Sequence, residues 1–280
     1  MAHHLVCLTF DFDAMSLWIA RDMTTPTPIS RGEFGVVAAG RILDLLRAHD
    51  IRATWFITGH TLETYPDVCR RIHAEGHEIG HHGYAHEPPA TLNREQEEAV
   101  ILRGNAAIER VTGAPARGYR SPSWDLSPNT VDLLLAHGFR YDSSMMGDDY
   151  RPYFCRRGDV ITKDGPARFG PSTSLVEMPI SWSLDDFPHF EYLRMPAYLQ
   201  QGLRRADDVL ANWLDDFRYM TRIVDWGVLT YTFHPQVVGR GHRMLLLERL
   251  IGEVAEGGAT FSRLDDAADE FLVRQGTAAG

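Results

Sequence analysis

Cysteine is scarce: Cys7, Cys69 and Cys155 are the only three in 280 residues, and no CxxC spacing joins any two of them. An odd number at these spacings implies no disulfide framework, and Cys7, inside an apolar run, reads as a small buried hydrophobe. Runs of Lys and Arg are also missing, and the formal net charge is −10. That balance argues against nucleic acid or an anionic membrane surface as a partner. No hydrophobic stretch approaches the length of a membrane span. The few residues ahead of the first apolar run leave no room for the charged and hydrophobic regions of a signal peptide, so a cytoplasmic location is expected. His3 and His4 in that segment are assigned no function. Internal repeats and low-complexity segments are absent as well.

What is present is an ordinary globular composition, 44% hydrophobic and 24% charged, enough for a substantial core. The length suits one domain over residues 1–280, since barrels of alternating strands and helices reach this size. The run LVCLTF (5–10) reads as a strand buried on both faces and leads into Asp11 and Asp13. A long loop is expected over 15–36, where Pro26, Pro28, Gly32 and Gly35 fall, followed by a helix over 37–49. Further strands are expected at 53–59, 77–80, 118–120, 141–143, 177–181, 227–233 and 260–262. Helices are expected at 65–75, 93–112, 128–137, 195–226, 244–256 and 264–273. Residues 147–174 read as an irregular insertion. The alternation predicts an α/β fold, a parallel barrel whose polar motifs collect at the C-terminal ends of strands.

Side chains alternate along a strand, so Asp11 and Asp13 emerge on one side of its end. Two carboxylates that close repel unless a cation lies between them; one can bind a metal while the other stays free as a base. The stretch GHEIGHHGYAH (76–86) places His82 and His86 four apart, and one tight turn would bring both rings to one side. Two such histidines with a carboxylate leave open positions on a divalent ion, as in hydrolytic zinc sites. His77 and His81 offer other pairings, and the chain holds 13 histidines, so spacing alone leaves the ligand set open.

TFDFDA, ATWFITG, GHEIGHHGYAH, YRSPSW and TFHP, in this order, resemble the motifs of the NodB-type polysaccharide deacetylases, carbohydrate esterase family 4, over roughly residues 5–235. The resemblance implies a distorted (β/α) barrel of about seven repeats. It implies metal binding by Asp13, His82 and His86, with Asp11 as catalytic base. It also implies Arg120 as the residue holding that base and His234 as general acid. Asp185 or Asp186, from WSLDDF, resembles the acid that orients His234, with Asp185 taken first. The chemistry agrees with these roles. A metal lowers the pKa of bound water towards about 7 and polarises a carbonyl. Asp11 can take the proton, and a protonated His234 can deliver one to a departing amine. Zinc is the default ion, with cobalt or nickel as alternatives.

The sequence also departs from the family pattern. Where many members carry Arg-x-Pro-x-Gly, this chain has Arg120-Ser-Pro-Ser-Trp124, so an indole should crowd an open saccharide groove. Trp124, Ser123 and Glu33 are therefore the expected substrate contacts. The segment 30–35 resembles a subgroup of amidohydrolases acting on small cyclic amides, allantoinase-like and cyclic-imidase-like. The expected partner is an N-acetylated saccharide or a small cyclic amide, in a chain that is a monomer or an oligomer. Hydrolysis of a non-peptide amide bond, by default N-deacetylation of a sugar, is the leading activity. Ring opening of a cyclic imide or ureide is the alternative. A mononuclear Fe(II) oxygenase also uses two histidines and a carboxylate, but has no role for a spare Asp base. A non-catalytic carbohydrate-binding relic would be free to lose Asp11 and His234.

Overall fold

The first strand, β1 (His3–Phe12), is buried from its second residue onward and pairs on both sides. In the computed structural model, which describes residues 3–195 and 198–276, it stands second from one end of a curled sheet. The other strands of that sheet are β2 (Thr54–Ile57), β3 (Glu78–His81), β4 (Gly118–Tyr119), β5 (Tyr141–Asp142), β6 (Tyr153–Arg156), β7 (Ser172–Glu177), β10 (Trp226–Phe233) and β11 (Thr260–Phe261). Leu193–Met195 (β8) and Tyr198–Gln200 (β9) form a separate antiparallel pair. The path runs β10-β1-β2-β3-β4-β5-β7-β6, with β11 beside the first half of β1. Along that path the seven strands from β10 to β7 are parallel and β6 is antiparallel to its neighbour. This is the distorted (β/α) barrel expected. Its open side is bridged by the Val228 amide donating to the Tyr150 carbonyl, and by a bridge between Asp185 and Thr232.

The period of two on β1 decides what lies inside the barrel. Val6, Leu8, Phe10 and Phe12 face the surrounding helices and share a core with Trp55, Ile42, Leu43 and Leu46. Phe10 stacks on Trp55 with ring centroids 4.6 Å apart. Leu5 and Cys7 point the other way, into an apolar floor with Phe56, Tyr141, Val176 and Val228. Continuing up that same face come Thr9, Asp11 and Asp13, all buried. One face of one strand thus runs from an apolar floor to a carboxylate mouth. Burial pushes the Cys7 thiol well up, so it is a packing residue.

Several expectations need correcting. The expected long loop over 15–36 is mostly helical: Ser16–Ile19 forms a short helix, and Pro26–Ala48 is one helix of 23 residues. Pro26 and Pro28 sit in its first turns, where a missing N–H costs nothing. Gly32 is there because of a close approach, since a Cβ on it would come within 2.6 Å of the Ala14 carbonyl oxygen. The insertion at 147–174 contains β6 and a bridge between Val160 and Arg168. The strand expected at 177–181 lies earlier, at Ser172–Glu177, because it pairs with both β5 and β6. Of the helix expected over 195–226, Ala206–Ile223 is helical and Tyr198–Gln200 is strand. Pro196 and Ala197 lie outside the described residues. A short helix at Gly59–Thr64 was not anticipated.

Elsewhere sequence and structure agree closely. Arg94–Thr112 opens with a capping box, Asn93 and Gln96 exchanging side-chain and backbone hydrogen bonds, and closes on Gly113 in the left-handed conformation. Gly104 lets this helix approach β3, because a Cβ there would overlap the His81 ring. No helix among the described residues is long and apolar enough to cross a membrane.

Candidate active site

At the C-terminal ends of β1, β3, β4 and β10 the inward side chains converge. Asp13 is fully buried, and neither of its carboxylate oxygens has a hydrogen-bond partner. His82 Nε2 lies 3.3 Å from Asp13 Oδ1 and His86 Nε2 lies 3.9 Å from the same oxygen. All three ligand atoms fall within 4.8 Å of one another. His82 Nδ1 is 2.8 Å from the Arg120 carbonyl oxygen. Donating its proton there leaves the Nε2 lone pair facing Asp13, the tautomer a metal ligand requires.

The two histidines reach this arrangement without a helix. Gly83 and His86 both take positive φ, +71° and +63°, so the chain reverses and sets the rings 5.2 Å apart. Ala14, Ser123 and Trp124 are also left-handed non-glycine residues at the rim. Strain of this kind persists only where surrounding contacts impose it. His81, one residue earlier, points outward, bonds the Ile101 carbonyl and takes no part in the cluster.

Electrostatics fit a cation site. Burial would raise the Asp13 pKa, but His86, His82 and His234 together hold it well below the carboxylate range. Burial pushes His86 down to about 3, which keeps it neutral and able to donate a lone pair. Buried carboxylate oxygens without donors, beside two imidazoles aimed at them, form a donor set that would suit a divalent ion with open positions.

Asp11 is held separately. Arg120 is fully buried; its Nη1 donates to Asp11 Oδ1 at 2.8 Å and to Thr9 Oγ1 at 2.7 Å. Its Nε and Nη2 donate to the carbonyl and hydroxyl oxygens of Ser143. The guanidinium also lies 4.3 Å over the Phe56 ring, on the apolar floor. Asp11 Oδ2 is left facing the site, 3.4 Å from Trp124 Nε1.

His234 closes the ring of groups, with Nε2 3.9 Å from Asp13 Oδ2. Asp186, rather than Asp185, makes the direct hydrogen bonds, accepting from His234 Nδ1 at 2.9 Å and from its backbone N–H at 3.0 Å. Asp185 is 3.4 Å from the same nitrogen and caps the next helix by accepting from the Phe187 N–H. Burial opposes charge on His234, but these two carboxylates outweigh it and raise its pKa well above the usual value.

The pocket above these groups has a volume of about 500 Å³. Ser123 and Trp124 line it as expected, and Trp124 stacks on Trp182 at 4.2 Å. Glu33 does not line it: it is exposed on the helix that replaced the expected loop. Sequence reasoning missed Arg21, Tyr198 and Gln200, which line the pocket. Arg21 lay in the supposed loop, and Tyr198 and Gln200 in the supposed helix, so nothing in their spacing marked them. Trp182 could have been found, since it precedes the acidic pair already singled out.

Comparison with known proteins finds relatives along most of the chain. A family model for polysaccharide deacetylases matches residues 3–141. A peptidoglycan deacetylase of Helicobacter pylori is 36% identical over 96% of this chain and 97% of its own length. A peptidoglycan deacetylase-like protein of Gibberella zeae is 28% identical over 96% of this chain and 86% of its own. Among solved structures, a Mycobacterium smegmatis protein assigned to the polysaccharide deacetylases superposes with a TM-score of 0.85 at 30% identity, covering 98% of this chain and 92% of that one. An allantoinase superposes at 0.77 with 22% identity, covering 99% and 93%, a likeness of fold.

The Arg120–Asp11 pair generates a stability prediction. Removing one partner of a buried ion pair strands the other charge and costs about 3–5 kcal/mol. Arg120→Met should lose that much in urea unfolding, and adding Asp11→Asn should restore part of it. A loss below about 1 kcal/mol would show that the pair does not organise the barrel mouth.

Proposed function

Because the chain belongs to the polysaccharide deacetylase family, and its peptidoglycan deacetylase relatives hydrolyse carbon–nitrogen bonds other than peptide bonds, we propose that it removes the acetyl group from an N-acetylated saccharide with a divalent metal on Asp13, His82 and His86. Family membership sets aside the oxygenase alternative. The observation that carries the metal assignment is Asp13: a fully buried carboxylate without hydrogen bonds, with two imidazoles directed at it. Zinc is the default ion, with cobalt and nickel close behind.

A metal held there supplies Lewis acidity to the amide carbonyl and acidifies the attacking water. The chain's own residues handle the protons. Asp11 has one oxygen fixed by Arg120 and the other facing the pocket, so it can accept the water's proton without losing its position. His234, tethered at Nδ1 by Asp186, presents Nε2 to the pocket and can protonate the departing nitrogen. Trp182, 44% exposed, offers a flat face on which a sugar ring can stack. Its stack with Trp124 also narrows the pocket, which favours a second reading, ring opening of a small cyclic imide or ureide by the same groups.

Asp13→Ala or His82→Ala should emerge from gel filtration without bound zinc, while Asp11→Asn retains zinc and loses at least ~100-fold in turnover. Full activity in Asp11→Asn would remove it as the base. His234→Ala should slow an amide with a poor leaving amine roughly 100-fold more than an activated ester. Equal losses on both substrates would contradict its role as proton donor.

A further inference from the structure

A second cavity, of about 300 Å³, lies beside the first turn of the helix Gly241–Glu256. Its lining residues are distinct from those of the candidate active site. This helix is 16 residues long, its N-cap Arg240 contributes no side-chain cap, and no acidic residue occupies its first turn. An uncapped helix start of this length presents free N–H groups and a partial positive charge.

Two further observations point to a ligand there. Gln236 is only 3% exposed, lines the cavity, and has no hydrogen-bond partner for either its amide oxygen or its amide nitrogen. Arg243, also buried in the wall, donates through both Nη atoms to the carbonyls of Val237 and Phe190, yet its Nε is unpartnered. Charge supplies the sign. Arg31, Arg240 and Arg243 line the cavity, against one carboxylate, Glu191, which pairs with Arg31. Three guanidiniums less one carboxylate leave a surplus of two positive charges. The Arg31 pKa is pushed down by burial and then by the charge of Arg240, so these cations repel one another. Arg240 also stacks over Phe34 at 3.6 Å, which would place it without any ligand. That packing accounts for neither the idle Gln236 amide nor the uncapped helix.

We propose that this cavity is a phosphate site, bound by the first turn of the helix Gly241–Glu256, the arginine cluster and the Gln236 amide. A phosphate carries about −1.5 to −2 charges at neutral pH and offers several acceptor oxygens, which matches the surplus charge and the idle donors. Helix starts lined by basic side chains are favourable anion sites in general. The phosphate comes either from free inorganic phosphate or from a small phosphorylated metabolite.

Calorimetric titration of the metal-loaded protein with inorganic phosphate and with glucose 6-phosphate, in chloride of matched ionic strength, tests this. Saturable binding of one equivalent is expected. It should weaken at least ~tenfold in Arg240→Gln and in Gln236→Glu, and be unaltered in Asp13→Ala, which disables the metal cluster instead. Arg240 is exposed, so its variant should fold normally. Tighter binding of inorganic phosphate identifies the free ion as the ligand; tighter binding of the sugar phosphate identifies a phosphorylated metabolite. Undiminished affinity in Arg240→Gln, loss of binding in Asp13→Ala, or no saturation of either anion by roughly 10 mM would overturn the proposal.

Discussion

Everything at the barrel mouth depends on the burial of Asp13. A carboxylate removed from water needs donors or counter-charges, and this one has no donor at either oxygen. His82, His86 and His234 surround it within 4 Å, and two of them are anchored from behind. His82 is anchored by the Arg120 carbonyl and His234 by Asp186. His86 is set by its own left-handed backbone conformation. The fold thus gathers three imidazoles around a fully buried carboxylate, an arrangement that suits a cation.

Arg120 couples this shell to the rest of the fold. It emerges from the end of β4, crosses the barrel interior to Thr9 and Asp11 on β1, and ties back to Ser143 beyond β5. Its guanidinium rests on Phe56, so the apolar floor and the charged mouth meet at one side chain. The two carboxylates at the end of β1 are thereby set in different surroundings: Asp13 faces the histidines and Asp11 faces an arginine. A two-residue step along one strand achieves that division.

The regular part of this arrangement was legible in the sequence. Alternation on β1 places Asp11 and Asp13 on one face, whereas Arg120 and His234 are marked only by the family motifs, and the structure turns both inward just past β4 and β10. What resisted reading was set by tertiary contact. Pro26, Pro28, Gly32 and Gly35 look like loop punctuation, yet the prolines open a helix and Gly32 admits the backbone of Ala14. That error carried Glu33 into the site when it lies outside, and hid Arg21, which lies within. The choice between Asp185 and Asp186 depended on a turn of backbone between neighbours: one caps a helix while the other holds the imidazole. The uncapped start of the helix Gly241–Glu256 was equally silent, because an absent cap is informative only once the cavity beside it is known.

Product identity is the most direct measurement. The zinc-loaded protein, followed by proton NMR, would be given N-acetylglucosamine oligomers in one sample and simple cyclic imides and ureides in another. Free acetate in the first is the predicted result and places an N-acetyl sugar on Asp11, His234 and the Asp13 cluster. Ring-opened product in the second sample, with no acetate in the first, would contradict deacetylation and make the Trp124–Trp182 stack the determinant of a small cyclic substrate.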